Sequence, residues 1–185
     1  MATASSSVVL ETALGCIGIA WNERGLTRVL LPESRAAIER RLASFPGAPA
    51  DRPKPGGWIG GVIVGIRRYA EGEPVEFADA PVDLDGVDAF RLAVYAAARR
   101  LKFGETTTYG ELAASAGHPG LARETGQALG ANPVPLVVPC HRILAAGGRI
   151  GGFSAPGGAA TKQKMLALEG VRIGPPAPAQ QAFAF

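Results

Sequence analysis

The sequence predicts an α/β unit followed by a helical unit (α/β + α), on three observations. Short apolar runs broken by turn residues fill the first ~80 positions; strand signals nearly vanish after residues 81–86; beyond that stretch the apolar residues recur at helical spacing. The expected boundaries are residues 1–84 for the α/β unit, 85–173 for the helical unit, and 174–185 for a disordered tail rich in Pro, Ala and Gln. With 185 residues, 47% of them hydrophobic, the chain can bury a core.

Residues 8–21 and 26–31 are apolar runs separated by Asn22-Glu23-Arg24-Gly25, the composition of a hairpin turn. Residues 33–45 form a helix with Ile38, Leu42 and Phe45 on one side, and a Pro/Gly-rich loop follows at 46–57. Residues 58–69 form a second helix with Val62, Ile66 and Tyr69 in register, and residues 74–77 supply a further strand. After a linker at 81–86, residues 88–103 carry Phe90, Val94, Ala97 and Leu101 as one helical stripe. Arg99, Arg100 and Lys102 fall in its last turns, where cations oppose the helix dipole, and Gly104 ends it.

Thr108-Tyr109-Gly110-Glu111 fits a capping box that opens a helix over residues 109–116. Gly117-His118-Pro119-Gly120 is a turn, and a second helix runs to Gly130, giving a helix-turn-helix pattern. Ala122, Gly126 and Gly130 stand at i, i+4 and i+8, flanked by Arg123 and Gln127. Each interior glycine costs about 1 kcal/mol relative to alanine, so this bare stripe implies close approach, to another helix or to a nucleic-acid groove.

Lys and Arg exceed Asp and Glu by 19 to 16, a net +3 that permits a polyanionic partner without requiring one. Cys16 and Cys140 are too few for a disulfide scaffold, and with only His118 and His141 no metal site is expected. Residues 1–10 lack the cationic and apolar regions of a secretory signal. The uncharged run 125–140 is broken by Gly126, Gly130, Pro133, Pro135 and Pro139. The expectation is a soluble cytoplasmic protein of bacterial type, with access to the nucleoid and no membrane contact.

The chemistry concentrates at residues 132–142, where an apolar run ends in Pro139-Cys140-His141-Arg142. A thiol near its ordinary pKa of about 8.5 needs a base or cation beside it to react at neutral pH. His141 can be that base if the backbone turns at Pro139, since neighbours on a straight strand face opposite ways. Glu169, at the end of the helix-like run 162–169, is the candidate to orient the imidazole, with water as a possible bridge. Cys16 is expected to be a structural thiol and His118 to be solvated.

Pro139-Cys140-His141-Arg142, preceded by Asn132-Pro133, followed by Gly151-Gly152-Phe153-Ser154, and with Tyr109-Gly110-Glu111-Leu112-Ala113 upstream, resembles the O6-alkylguanine-DNA alkyltransferases. The resemblance is strong over about residues 90–170 and loose over the N-terminal unit. It implies a ribonuclease-H-like N-terminal α/β roll and a C-terminal winged-helix-like domain with the helix-turn-helix. It implies a monomer that binds double-stranded DNA containing O6-alkylguanine through the minor groove, flips the damaged nucleotide out, and takes the alkyl group irreversibly onto Cys140. No cofactor and no metal are implied, and O4-methylthymine is a second candidate substrate.

Carried over residue by residue, Cys140 attacks the alkyl carbon, His141 is the base through water, Glu169 orients it, and Tyr109 donates to the guanine ring. Asn132 braces the turn. Ser154 offers a backbone donor to O6, the Cys140 and Ile143 carbonyls accept from the base amine, and Leu129 and Phe153 line the pocket. Ala122 and Gly126 approach the groove, Arg123 fills the gap in the stack, and Arg142 is grouped with these substrate-side residues while mainly holding structure. Three features depart from the commonest family pattern: Glu124-Thr125 after Arg123, Phe153 where tyrosine is common, and a longer loop at residues 154–158. A lesion-sensing DNA binder without transfer, and a thiol hydrolase built on Cys140, His141 and Glu169, are the rival readings.

Overall fold

The computed structural model describes residues 6–45, 48–49 and 57–173. The tail placed at 174–185 and most of the loop at 46–57 lie outside the described residues. Strands β1 (Ser6–Thr12), β2 (Gly15–Trp21) and β3 (Leu26–Glu33) form an antiparallel meander, and β4 (Ala48–Pro49) adds in parallel to β1, giving the order β3-β2-β1-β4. The long apolar run 8–21 is therefore two strands. The turn between them forms where Thr12 Oγ1 donates to the Gly15 carbonyl and Gly15 takes a φ of 118°, open to glycine.

Alternation along the strands splits the sheet's two faces. Ala20 and Leu30 pack against Ile38 and Leu42 of α1 (Arg35–Ala43), while Ile17, Ile19, Val29 and Leu31 face the main core. A Cβ on Gly18 would sit 2.6 Å from Ile38, so only glycine lets α1 lie this close. On the main-core side, α2 (Trp58–Ala70) contributes Val62, Ile66 and Tyr69 at the anticipated spacing. Burying a side chain such as Ile66 completely stabilises by roughly 1.5–3 kcal/mol. The same apolar cluster continues without a break into Val94, Leu112, Val138 and Met165 of the second half.

Two expected elements differ. Residues 74–77 form no strand; they run extended along α2, with Phe77 buried. The stretch expected as a linker is tied down: Leu26 N donates to the Pro81 carbonyl (2.9 Å), Asp83 N returns to Leu26 (2.8 Å), and the Asp83 carboxylate takes bonds from Asn22 and Arg24.

Helix α3 (Ala89–Ala98), capped by Asp88, ends five residues before Phe103. Its Arg99 does not serve the helix end. One nitrogen of the guanidinium, Nη2, reaches the carbonyls of Phe77, Ala78 and Ala80 in the loop after α2. β5 (Thr107–Thr108), α4 (Tyr109–Ser115) and α5 (Ala122–Gly130) follow, and the capping box is formed from both sides by Thr108 and Glu111. β5 pairs in parallel with β6 (Ile143–Leu144), a two-stranded sheet within the unit expected to be helical. This pairing sets the start of α4 beside the residues after Cys140. Helix α6 (Gly158–Leu168) closes the chain, with Glu169 as its C-cap. Among the described residues there are six α-helices and no helix long and apolar enough to cross a membrane.

Candidate active site

The backbone turns at Pro139, as the chemistry requires: Cys140–Arg142 form a single 3₁₀ turn. The turn sends the Cys140 thiol toward open clefts and the His141 ring into the interior, where it is wholly buried. Asn132, one residue past the C-cap of α5, donates through Nδ2 to the Val138 carbonyl (2.9 Å) and to Cys140 Sγ (3.4 Å), while its Oδ1 accepts from Val134 N (3.0 Å). It therefore braces the loop and holds the nucleophile with one amide. Burial pushes the Cys140 thiol up; the Asn132 bond, the nearby Lys162 charge and the backbone N–H groups of Cys140 and His141 pull it back in part.

Behind the thiol lies a closed polar cluster. Glu169 Oε1 meets His141 Nε2 at 2.6 Å and takes the Tyr69 hydroxyl at 2.9 Å; Oε2 accepts from Arg142 Nε (2.8 Å) and Gly104 N (2.9 Å). Burial alone would raise the Glu169 carboxyl, but the His141, Arg142 and Gly104 donors outweigh it and hold it at about 2. Burial lowers His141 despite the carboxylate, so the ring is neutral at pH 7. A carboxylate on Nε2 assigns the proton to that nitrogen and leaves a lone pair on Nδ1. Among the described residues that buried Nδ1 meets no partner, and no hydrogen bond joins the imidazole to Sγ. The direct base–thiol hydrogen bond is absent among the described residues.

Arg142 holds structure, as expected, but does not belong with the substrate-side residues: it is 3% exposed, bonded to Glu169 and to the Leu101 carbonyl (2.6 Å), and lines neither cleft at Cys140. A guanidinium beside a buried carboxylate is held inward by the cost of leaving that charge unpaired.

In front of the thiol lies a cleft of about 420 Å³. Tyr109, Ala122, Arg123, Gly126, Leu129 and Gly130 line it on the α4–α5 side, and Gly152, Phe153 and Ser154 on the other. The small-residue stripe of α5 thus borders open space, and a Cβ on Gly126 would touch only the Tyr109 ring at the start of α4, at 3.7 Å. Arg123 is exposed at its mouth, Glu124 is exposed to solvent, and Thr125 turns inward, fully buried. Tyr109 donates to the Gly152 carbonyl (3.3 Å), and burial raises its hydroxyl pKa. The Cys140 carbonyl already accepts from Ile143 N and the Ile143 carbonyl from Lys162 Nζ, so each has one lone pair engaged.

Two residues of this site were missed by sequence reasoning. Lys162 is completely buried, with Nζ on the Ile143 and Gly152 carbonyls and near the rings of Tyr109 (5.6 Å) and Phe153 (5.9 Å); burial lowers its pKa to about 8. Its signal was its spacing, since Lys162, Met165, Leu166 and Glu169 share one helix face. Tyr69 falls at the spacing of the apolar stripe of α2, although a buried hydroxyl must find a partner. Elsewhere, His118 is half-covered by the edge of Phe90 (centroids 4.9 Å apart), and Cys16 is half-buried beside the α1 cluster. No group of three or more metal-ligating side chains occurs among the described residues.

Residues 89–171 match the family model described as "6-O-methylguanine DNA methyltransferase, DNA binding domain". The Mus musculus methylated-DNA–protein-cysteine methyltransferase is 35% identical over 181 residues, covering 91% of this chain and 83% of its own length. The Mycolicibacterium paratuberculosis protein of the same name is 43% identical over 109 residues, 59% of this chain and 64% of that relative, just under two thirds of its length. A crystal structure of Mycobacterium tuberculosis OGT in complex with DNA superposes with a TM-score of 0.70 at 32% identity, covering 89% of this chain and 92% of the other.

Proposed function

Because the chain belongs to the methylated-DNA–protein-cysteine methyltransferase family, we propose that it repairs DNA directly, transferring the alkyl group of O6-alkylguanine to Cys140 in a single turnover. The observation that carries this reading is the position of Sγ, open to a cleft under α5 and backed by a neutral imidazole with a free lone pair. The relatives are named for this reaction, and one is solved with DNA.

In the proposed reaction α5 enters the minor groove of double-stranded DNA. Its bare face at Ala122 and Gly126 allows the close approach, Arg123 takes the place of the flipped nucleotide, and the base enters between Tyr109, Leu129 and Phe153. The thiol proton passes through water to His141 Nδ1, with Glu169 fixing the imidazole. The Sγ–C bond forms as the C–O6 bond breaks, and the electron pair leaves with O6. Tyr109 and the Ser154 backbone donate to the departing base, and the Cys140 and Ile143 carbonyls use their remaining lone pairs for its amine. The thioether left on Cys140 has no group beside it that hydrolyses such a bond, so each molecule acts once, without a cofactor.

Residues 1–84 and 85–173 then correspond to a ribonuclease-H-like roll and a winged-helix-like DNA-binding unit, acting as a monomer in the cytoplasm. The test is Cys140→Ala with a duplex carrying labelled O6-methylguanine. The variant loses all transfer while retaining DNA affinity; transfer persisting in it contradicts the assignment.

A further inference from the structure

Tyr95, 1% exposed on α3, carries a buried hydroxyl that the transfer steps do not use. It donates to the Ala128 carbonyl of α5 at 2.8 Å. Among the described residues no other hydrogen bond joins α3 to α5.

The bond falls where α5 ends. In a continuing helix the Asn132 N–H would reach the Ala128 carbonyl, four residues back. Here it goes to Leu129 instead (3.2 Å), and Ala131 N is shared between Gln127 and Ala128, at 3.2 Å each. The last turn is thus tightened in the 3₁₀ manner, and the Ala128 carbonyl has a lone pair left for Tyr95. A side chain from α3 in this way closes the end of the helix that opens into Asn132.

Asn132 is the residue whose amide donates to Cys140 Sγ (3.4 Å) and to the Val138 carbonyl (2.9 Å). Its backbone position follows from the last turn of α5, and hydrogen bonds weaken steeply as their angle departs from linear. A small shift of that turn therefore loosens the donor on sulfur before it disturbs the core. The other face of α5 borders the cleft, so the helix offered to DNA is also the one that places the thiol's brace. Burial pushes the Tyr95 hydroxyl pKa up, Arg91 pulls it down and a charge on Cys140 pushes it up again, which leaves the group a proton donor at neutral pH. Lys162 from α6 and Tyr109 from α4 also feel the charge on Sγ, and neither bonds to α5.

We infer that Tyr95 is a positioning residue for the transfer: from α3 it fixes the last turn of α5, and so holds the Asn132 amide on the nucleophile. It lines neither cleft at Cys140 and acts only through Asn132. Its effect on repair rests on the alkyl-transfer reading; its effect on the thiol does not.

Tyr95→Phe in the full chain removes one oxygen and keeps the ring. Two rates test the inference: alkylation of Cys140 by iodoacetamide from about pH 6 to pH 10, with peptide mapping to separate it from Cys16, and single-turnover methyl transfer from an O6-methylguanine duplex. In the variant the alkylation midpoint rises by about half a pH unit, methyl transfer at pH 7 slows about threefold, and both rates approach those of the unaltered protein at high pH. Affinity for undamaged duplex is unchanged. Asn132→Ala, or Asn132→Ser should the alanine variant not fold, raises the midpoint further, and adding Tyr95→Phe to it moves the midpoint no more. An unchanged midpoint in Tyr95→Phe, even with a lowered melting temperature, reduces the hydroxyl to packing and overturns the inference. A further shift in the Asn132 background overturns it as well, because the hydroxyl then acts by another route. Absence of methyl transfer in the unaltered protein removes the alkyl-transfer reading, and the iodoacetamide profiles still decide the link from Tyr95 to the thiol.

Discussion

The two sides of Cys140 are built on opposite rules. Behind it, Tyr69, His141, Arg142 and Glu169 are large, polar and buried, and each carboxylate oxygen of Glu169 has at least two partners. In front, Ala122, Gly126 and Gly130 present almost no side chain and border a cleft. A suicide nucleophile needs both: a base whose tautomer is locked by surroundings that cannot relax, and an approach wide enough for a nucleotide. Rigidity is concentrated where the proton goes, and emptiness where the substrate arrives.

The contrast predicts that the rear wall fails through stability and the front wall through access. The largest effect belongs to Glu169→Ala, which leaves the Arg142 charge buried without its partner and frees the imidazole; unfolding free energy measured in urea falls by about 3–5 kcal/mol. Glu169→Gln keeps the shape and separates the two losses, since transfer must still drop sharply when the tautomer is no longer fixed. Asn132→Asp comes next. It replaces the amide donor on Sγ with a carboxylate, raising the thiol pKa, and single-turnover rates at pH 7 fall by about tenfold or more with a rate that recovers at higher pH.

Of the two walls, acid acts on the rear one. His141 is held below its ordinary 6.5, so the unfolded chain binds a proton that the folded one refuses, and stability present above that pH is lost as pH falls through 6.5. Glu169, held at about 2 against an ordinary 4.5, adds stability that is present above 4.5 and lost on the way down to 2. Melting temperature against pH must therefore be level above neutrality and steepen twice on acidification. A flat profile between pH 7 and pH 4 contradicts the buried neutral imidazole.

The smallest effect has the opposite sign. Gly126→Ala fits beside Tyr109 and stabilises α5 by up to about 1 kcal/mol, while Gly126→Leu keeps that stability and blocks the cleft. A melting temperature that rises as transfer falls would mark the front wall as a surface kept bare for function.

How much of this was legible in the sequence follows from the range of each interaction. The capping box at Thr108, the bare stripe of α5 and the turn at Pro139 are local, and they were readable from spacing alone. The break between β1 and β2 is marked only by Glu11, Thr12 and Gly15 inside an otherwise apolar stretch. Helix α3 ends short of the apolar stripe that continues to Leu101, and Arg99 just past its end answers three carbonyls about twenty residues earlier in the chain. Tyr69, Lys162 and the inward turn of Arg142 depend on side chains brought together from elements up to 100 residues apart, as between Tyr69 and Glu169. No local pattern encodes such a meeting. Buried polar side chains on otherwise apolar helix faces are its nearest sequence sign.

The central claim is that Cys140 accepts one alkyl group and keeps it. Intact-protein mass spectrometry after incubation with excess O6-methylguanine duplex, followed by peptide mapping, tests it most directly. The account predicts a gain of a single methyl group, saturating at one equivalent and located on Cys140. An unchanged mass with retained DNA binding, or a methyl group on any other residue, would contradict it.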